Sequence, residues 1–167
     1  MFYEINRNIE HLRGHCLVKR RSRSQCIVVR NGKILMAKHR QNGEEWRCLP
    51  GGAVEKGETP EDAALRELQE ECCVHGVIIK KTSQYHDPFA NGENYTFWVD
   101  IGEQEPILGE DPEVKGDPIL FGIDWLSLNE ICERDRAFVW AAGLISIKEF
   151  ADELACWGND ISYPPLR

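Results

Sequence analysis

The hydrophobic and polar positions of this chain fall into short strand-like runs, interrupted in two places by stretches with the longer period of a helix. His15 to Lys19 and Gln25 to Arg30 read as strands, and Asn31-Gly32 is a hairpin turn leading into a third strand, Lys33 to Lys38. Gln41 to Glu44 reads as a loop, and Trp46 to Leu49 leads into the tight turn Pro50-Gly51-Gly52, with Trp46 expected in the core beneath that loop. Thr59 is a good N-cap, Pro60 suits a first helical position, and Glu61 and Asp62 put negative charge in the first turn, so a helix is predicted from Pro60 to Cys73.

Val74 to Gln84 follows as a strand, and Asn94 to Ile101 as another, in which Tyr95, Phe97 and Val99 alternate with Thr96 and Trp98 as in a central strand. Residues 102 to 118 break the pattern with six acids and three prolines and read as a loop. Ile119 to Trp125 is a last strand, Ser127 starts a short helix, and Arg134 or Asp135 starts a longer one through Ala155. The apolar positions of that helix are Phe138, Ala141, Ala142, Ile145, Phe150 and Leu154. The tail from Ile161 to Arg167, with Pro164-Pro165, reads as extended. Strands on both sides of one helix, with further helix at the end, predict a mixed sheet covered by helices, an α+β or α/β sandwich.

Composition narrows the class. At 167 residues with 42% hydrophobic content, the chain can bury one core, so a single domain over residues 1–167 is expected. The seven cysteines are odd in number, show no C-x-x-C pair, and include adjacent Cys72-Cys73, which argues against a disulfide scaffold or a zinc site and for a reducing, cytoplasmic setting. No stretch reads as a signal peptide or a membrane span.

The net charge of −8 is uneven: residues 1 to 40 carry ten Lys and Arg against two acids, and the remainder ten against twenty-six. The strip Lys19-Arg20-Arg21-Ser22-Arg23 suits either steering of a polyphosphate or a charged edge strand that discourages sheet association. Nucleic acid is a poor third option for an acidic protein with one short basic strip.

On the predicted helix, Leu65, Leu68 and Cys72 share one stripe, while Glu67, Glu70 and Glu71 gather on a different side. Alone, such a triplet is a solvated acidic face before it is anything else. Like charges one turn apart repel, however, and a divalent cation offsets that repulsion; carboxylate oxygens are the ligands magnesium or manganese prefers. The glycine turn stands just upstream, and Glu58 and Arg66 are spaced to pair across the start of the helix.

Gly52, five residues, Glu58, seven residues, Arg66-Glu67, aliphatic Leu68, any residue, then Glu70-Glu71 resembles the Nudix box, which here spans Gly52 to Val74. The one departure is Cys73, where the family usually has a glycine that lets the helix end in a left-handed turn; Gly76 is the substitute expected here.

The resemblance implies a Nudix-type α/β/α sandwich and metal-dependent hydrolysis of a phosphoanhydride in a nucleoside diphosphate linked to another group, such as a nucleoside triphosphate or ADP-ribose. It implies Mg2+, with Mn2+ as substitute, on Glu67, Glu70, Glu71 and the Gly51 carbonyl. Arg66 and Glu58 orient the site, and these two with the three glutamates form the catalytic set. The general base, or an extra ligand, is expected from the acidic loop, where Glu110, Asp111, Glu113 and Asp117 are candidates.

The partner expected is a small nucleotide, with no nucleic acid and no membrane, and homodimers are common in the family. The box itself looks like that of enzymes cleansing oxidised nucleoside triphosphates, and Pro88 lies where ADP-ribose-cleaving relatives often have a proline. No tyrosine appears before Tyr95 to match the dinucleoside-polyphosphate relatives. The alternative from another class is a Nudix-like domain that senses a nucleotide or sugar nucleotide without cleaving it.

Overall fold

The computed structural model describes residues 22–87, 92–109 and 119–156. The expected strand His15 to Lys19, the basic residues Lys19 to Arg21, Pro88, the acids Glu110, Asp111, Glu113 and Asp117, and the tail from Ile161 lie outside the described residues.

Among the described residues there are eight strands: β1 Arg23–Ile27, β2 Val29–Arg30, β3 Lys33–Gln41, β4 Glu44–Cys48, β5 Gly51–Ala53, β6 Val77–Asp87, β7 Gly92–Asp100 and β8 Leu120–Leu126. Helix α1 is Pro60–Cys72, and after a short 3-10 turn at Leu128–Glu130 come α2 Glu133–Ala141 and α3 Lys148–Cys156. The strands form two sheets rather than one. The first has the order β5-β1-β7-β6, with β1 and β7 parallel and the outer pairs antiparallel, and is therefore mixed. In the second, β3 pairs antiparallel with β2, β4 and β8.

Two turns set the hairpins of the second sheet. Asn31 and Gly32 both have positive φ (52° and 72°), and so do Asn42 and Gly43 (53° and 82°), the pattern of a two-residue turn that matches strand twist. The loop expected at Gln41 to Glu44 is therefore a tight turn that extends β3 to Gln41 and starts β4 at Glu44.

Alternation along the strands divides the core. Cys26, Val28 and Leu35 face α1, with Leu68, Phe97 and Val99. Ile27, Ile34 and Met36 face the C-terminal segment, with Leu128, Leu144 and Phe150. Each fully buried side chain of this size contributes about 1.5–3 kcal/mol, so both layers are held firmly. β7 is the interior strand its pattern predicts: Phe97 and Val99 pack toward α1, and Trp98 packs on the opposite layer.

The long C-terminal helix expected from Arg134 or Asp135 to Ala155 is broken. Gly143 stands at φ 90°, and a Cβ there would lie 2.4 Å from the Thr82 carbonyl oxygen, so the chain passes β6 too closely for any side chain. A 3-10 turn, Leu144–Ser146, then reorients the chain into α3. Of the apolar positions named for that helix, Ala142 and Phe150 are buried, whereas Phe138 and Ile145 are 67% and 58% exposed; Val139, Leu144 and Ile147 complete the buried side.

α1 ends as the motif requires, on an unusual residue. Cys73 itself takes the left-handed conformation (φ 54°, ψ 32°) and donates its N–H to the Gln69 carbonyl, so Gly76 does not take over this role. For a residue with a Cβ that conformation costs roughly 1–2 kcal/mol. The stretch after β7 offsets part of it, because Ile107 and Gly109 donate their N–H groups to the Cys72 and Glu71 carbonyls at 3.0 and 2.9 Å.

Candidate active site

The site begins where β5 and α1 meet. Ser24 donates its hydroxyl to the Pro60 carbonyl at 2.6 Å, and the Thr59 hydroxyl caps the Asp62 N–H at 3.1 Å, so the helix start is fixed against β1. The turn before it has no room for side chains. A Cβ on Gly51 would meet the Ser24 carbonyl oxygen at 2.4 Å, and one on Gly52 would meet the Glu67 carboxylate at 2.2 Å.

Arg66 organises three of the motif's four glutamates. Its guanidinium donates to both Glu58 oxygens (2.9 and 3.2 Å), to Glu67 at 2.9 Å, to Glu70 at 3.0 Å and to the Ala53 carbonyl at 2.8 Å. The pairing inferred from the spacing of Glu58 and Arg66 is thus formed, and hydrogen bonding to Arg66 holds the Glu58 carboxyl below the usual carboxylate range. Glu67 differs. Burial pushes its carboxyl up to about 7 against the opposing pull of Arg66, and the neighbouring Glu71 and Glu70 charges push the same way.

Glu71 stands apart from this network and is 4% exposed. One oxygen accepts the Gly51 N–H at 2.9 Å, and the other lies 3.6 Å from Nε2 of His39. His39 stacks on Trp46, with centroids 5.6 Å apart and planes 13° from parallel, and its Nδ1 lies 3.4 Å from the Cys48 thiol. Burial alone would lower the His39 pKa, but Cys48 and Glu71 outweigh it and raise it to about 10. Trp46, expected beneath the loop, is instead half-buried against His39.

A cleft of about 870 Å³ opens between the β3–β4 hairpin, the glycine turn and α2. Glu67, Glu71, Gly51 and Gly52 line it; Glu70, held by Arg66, does not. The Gly51 carbonyl accepts from the Arg23 guanidinium at 3.1 Å. The sequence motif therefore comes together as one structure, while His39, Cys48 and Arg23 join it from strands that carry no motif. A signal for His39 was present: a two-residue turn at Asn42-Gly43 pairs His39 with Trp46 across the hairpin.

Among the described residues no three His, Cys, Asp or Glu side chains stand as a ready-made ligand cluster. Glu67 and Glu70 are engaged by Arg66, and Glu71 by Gly51 and His39. The donor set nonetheless fits a hard divalent cation, since three carboxylates crowd here and burial, with the neighbouring Glu71 and Glu70 charges, pushes Glu67 toward its neutral form despite Arg66. Arg66 takes one oxygen of Glu67 and one of Glu70, so each carboxylate keeps its second oxygen for an ion.

The sequence model of the NUDIX domain matches residues 19–146. An ADP-ribose pyrophosphatase of Methanocaldococcus jannaschii is 33% identical over 90 residues, 51% of this chain and 53% of that one. An RNA pyrophosphohydrolase of Gluconobacter oxydans is 46% identical over 43 residues, a quarter (25%) of each chain. The chain thus spans about half the length or less of these relatives. In fold it is similar to a NUDIX hydrolase from Nitrosomonas europaea, with a TM-score of 0.60 at 20% identity, covering 82% of this chain and 72% of that one.

Proposed function

Because the chain belongs to the NUDIX domain family, we propose that it hydrolyses a phosphoanhydride bond in a nucleoside diphosphate linked to a further group, as a single domain over residues 1–167. The observation that carries this reading is the joint assembly of the motif. Arg66 binds Glu58, Glu67 and Glu70, while the Gly51 N–H binds Glu71 at the wall of a cleft large enough for a nucleotide.

In this proposal Glu67, Glu70 and Glu71 hold Mg2+, with Mn2+ able to replace it and the Gly51 carbonyl as a further ligand. When bound, the cation neutralises phosphate charge and acidifies a water molecule. The chain's own residues do the rest. Arg66 and Glu58 hold the helix start against the glycine turn, so that the carboxylates keep their spacing without touching substrate. Gly52 leaves Glu67 its room, and Arg23 presents a guanidinium beside the glycine turn, suited to a phosphate oxygen. The general base is assigned to the acidic loop, among Glu110, Asp111, Glu113 and Asp117.

The described cysteines are free, which supports a reducing compartment such as the cytoplasm. The alternative is a domain that binds nucleotides without cleaving them, and the presence of all three carboxylates, Glu67, Glu70 and Glu71, weighs against it. Product release should be measured across ADP-ribose, dinucleoside polyphosphates, nucleotide sugars, and canonical and oxidised triphosphates, with magnesium and with manganese. Cation-dependent turnover of one class is expected. Tight binding without turnover of any would replace hydrolysis by sensing.

A further inference from the structure

Strand register lays a row of side chains from the carboxylate site across the first sheet. Ala53 pairs with Arg23, Arg23 with Asn94, and Asn94 with Tyr85, so the row crosses β5, β1, β7 and β6. Directly paired residues share a face of the sheet. Their neighbours Cys26, Tyr95 and Phe97 pack toward α1, so Arg23, Asn94 and Tyr85 face away from it, and all three line the cleft. At roughly 4.8 Å per strand, Tyr85 stands about 10 Å from Arg23, on the far side from Gly51 and Glu71.

The opposite wall supplies a second aromatic. Thr82 and Ser83 donate their hydroxyls to the Ala142 and Ala141 carbonyls at 2.7 and 3.1 Å, which seats the end of α2 beside β6. Phe138, one helical turn earlier, lines the same cleft. Both rings are open to a ligand: Tyr85 is 47% and Phe138 67% exposed. Large aromatics exposed singly on a surface need no explanation, but two on the walls of one cleft offer flat apolar faces to a planar group.

The chemistry is graded along the row: a guanidinium suited to phosphate, then an amide with a donor and an acceptor, then aromatic faces. A nucleotide carries the same order of groups. We propose that the nucleoside end of the substrate lies along this row, with its base against Tyr85 and Phe138 and a polar edge on Asn94, so that these residues determine which nucleoside is accepted. The inference rests on the hydrolase reading only for where the phosphates sit.

The test is binding, read in a Glu70→Gln background so that turnover does not intervene. Calorimetric titrations with ADP, GDP, CDP and UDP, each compared with inorganic pyrophosphate, identify the nucleotide the parent binds best. Tyr85→Ala and Phe138→Ala should each weaken that nucleotide by about fivefold to a hundredfold. Asn94→Ala should narrow its preference over the other three, and pyrophosphate binding should be unchanged throughout. The exposure of both rings keeps the aromatic variants folded, which circular dichroism checks. Equal nucleotide binding by parent and both aromatic variants, parallel weakening of nucleotide and pyrophosphate, or a parent that prefers no nucleotide over pyrophosphate would each overturn the proposal. A protein that shows the expected binding pattern but hydrolyses nothing would refute the hydrolase reading and leave this subsite standing.

Discussion

Replacing Glu67 by Gln should make the cation-free protein more stable while removing its turnover. The Glu67 side chain is 12% exposed, and burial raises its carboxyl from 4.5 to about 7. The folded chain therefore keeps a proton on Glu67 between those two pH values that the unfolded chain has lost. The stabilising contribution of the protonated group is complete below pH 4.5 and disappears as pH rises through about 7. The gap between the two values corresponds to about 3 kcal/mol. Glutamine has the same shape and never carries the charge. For a chain of this size, about 3 kcal/mol is roughly 6–12 °C in Tm. Thermal unfolding followed by circular dichroism at pH 8 in a chelator should show Glu67→Gln melting higher by that amount, with the difference closing as pH falls below 4.5. Added magnesium should raise the wild-type Tm more than the variant's, because the variant has lost one of the three proposed carboxylate ligands. A variant that melts at or below the wild type at pH 8 without metal would refute the argument that burial dominates at Glu67.

Two further substitutions test the local geometry. Gly52→Ala places a Cβ 2.2 Å from the Glu67 carboxylate and must displace it; turnover should fall by about a hundredfold with the fold retained, and steady-state rates within tenfold of wild type would contradict this. Cys73→Gly relieves a left-handed residue at φ 54° and should stabilise the protein by about 1 kcal/mol, or roughly 2–4 °C in Tm; an unchanged or lower melting point would show that the Ile107 and Gly109 bonds have already absorbed the strain.

What could be read from the sequence was local. The start of α1 follows from Thr59, Pro60, Glu61 and Asp62, and its buried stripe from Leu68 and Cys72, because caps and period act within a few residues. The pairing of Glu58 with Arg66 was legible from spacing alone. The second hairpin is also written in the chain, since Asn42-Gly43 carries the same turn chemistry as Asn31-Gly32. The break in the C-terminal helix is not local: Gly143 answers to the Thr82 carbonyl, sixty-one positions earlier in the chain, and no periodicity encodes that approach. For His39 the Asn42-Gly43 turn encodes the pairing with Trp46 but not the approach to Glu71. Its place beside Glu71 depends on β3 running next to the glycine turn, a tertiary fact that leaves no motif. Phe138 shares the apolar period of its helix, but lies on the cleft side.

The most direct test of the central claim is magnesium-dependent turnover, on the best substrate of the panel, by the wild type against Glu70→Gln and Glu71→Gln, with folding of all three checked by circular dichroism. These changes keep shape and remove charge, so the account predicts a wild type that releases product only with the divalent cation, and two folded variants at or near background. Full cation-dependent turnover in either variant would contradict the assignment of that carboxylate, and in both it would remove the proposed site.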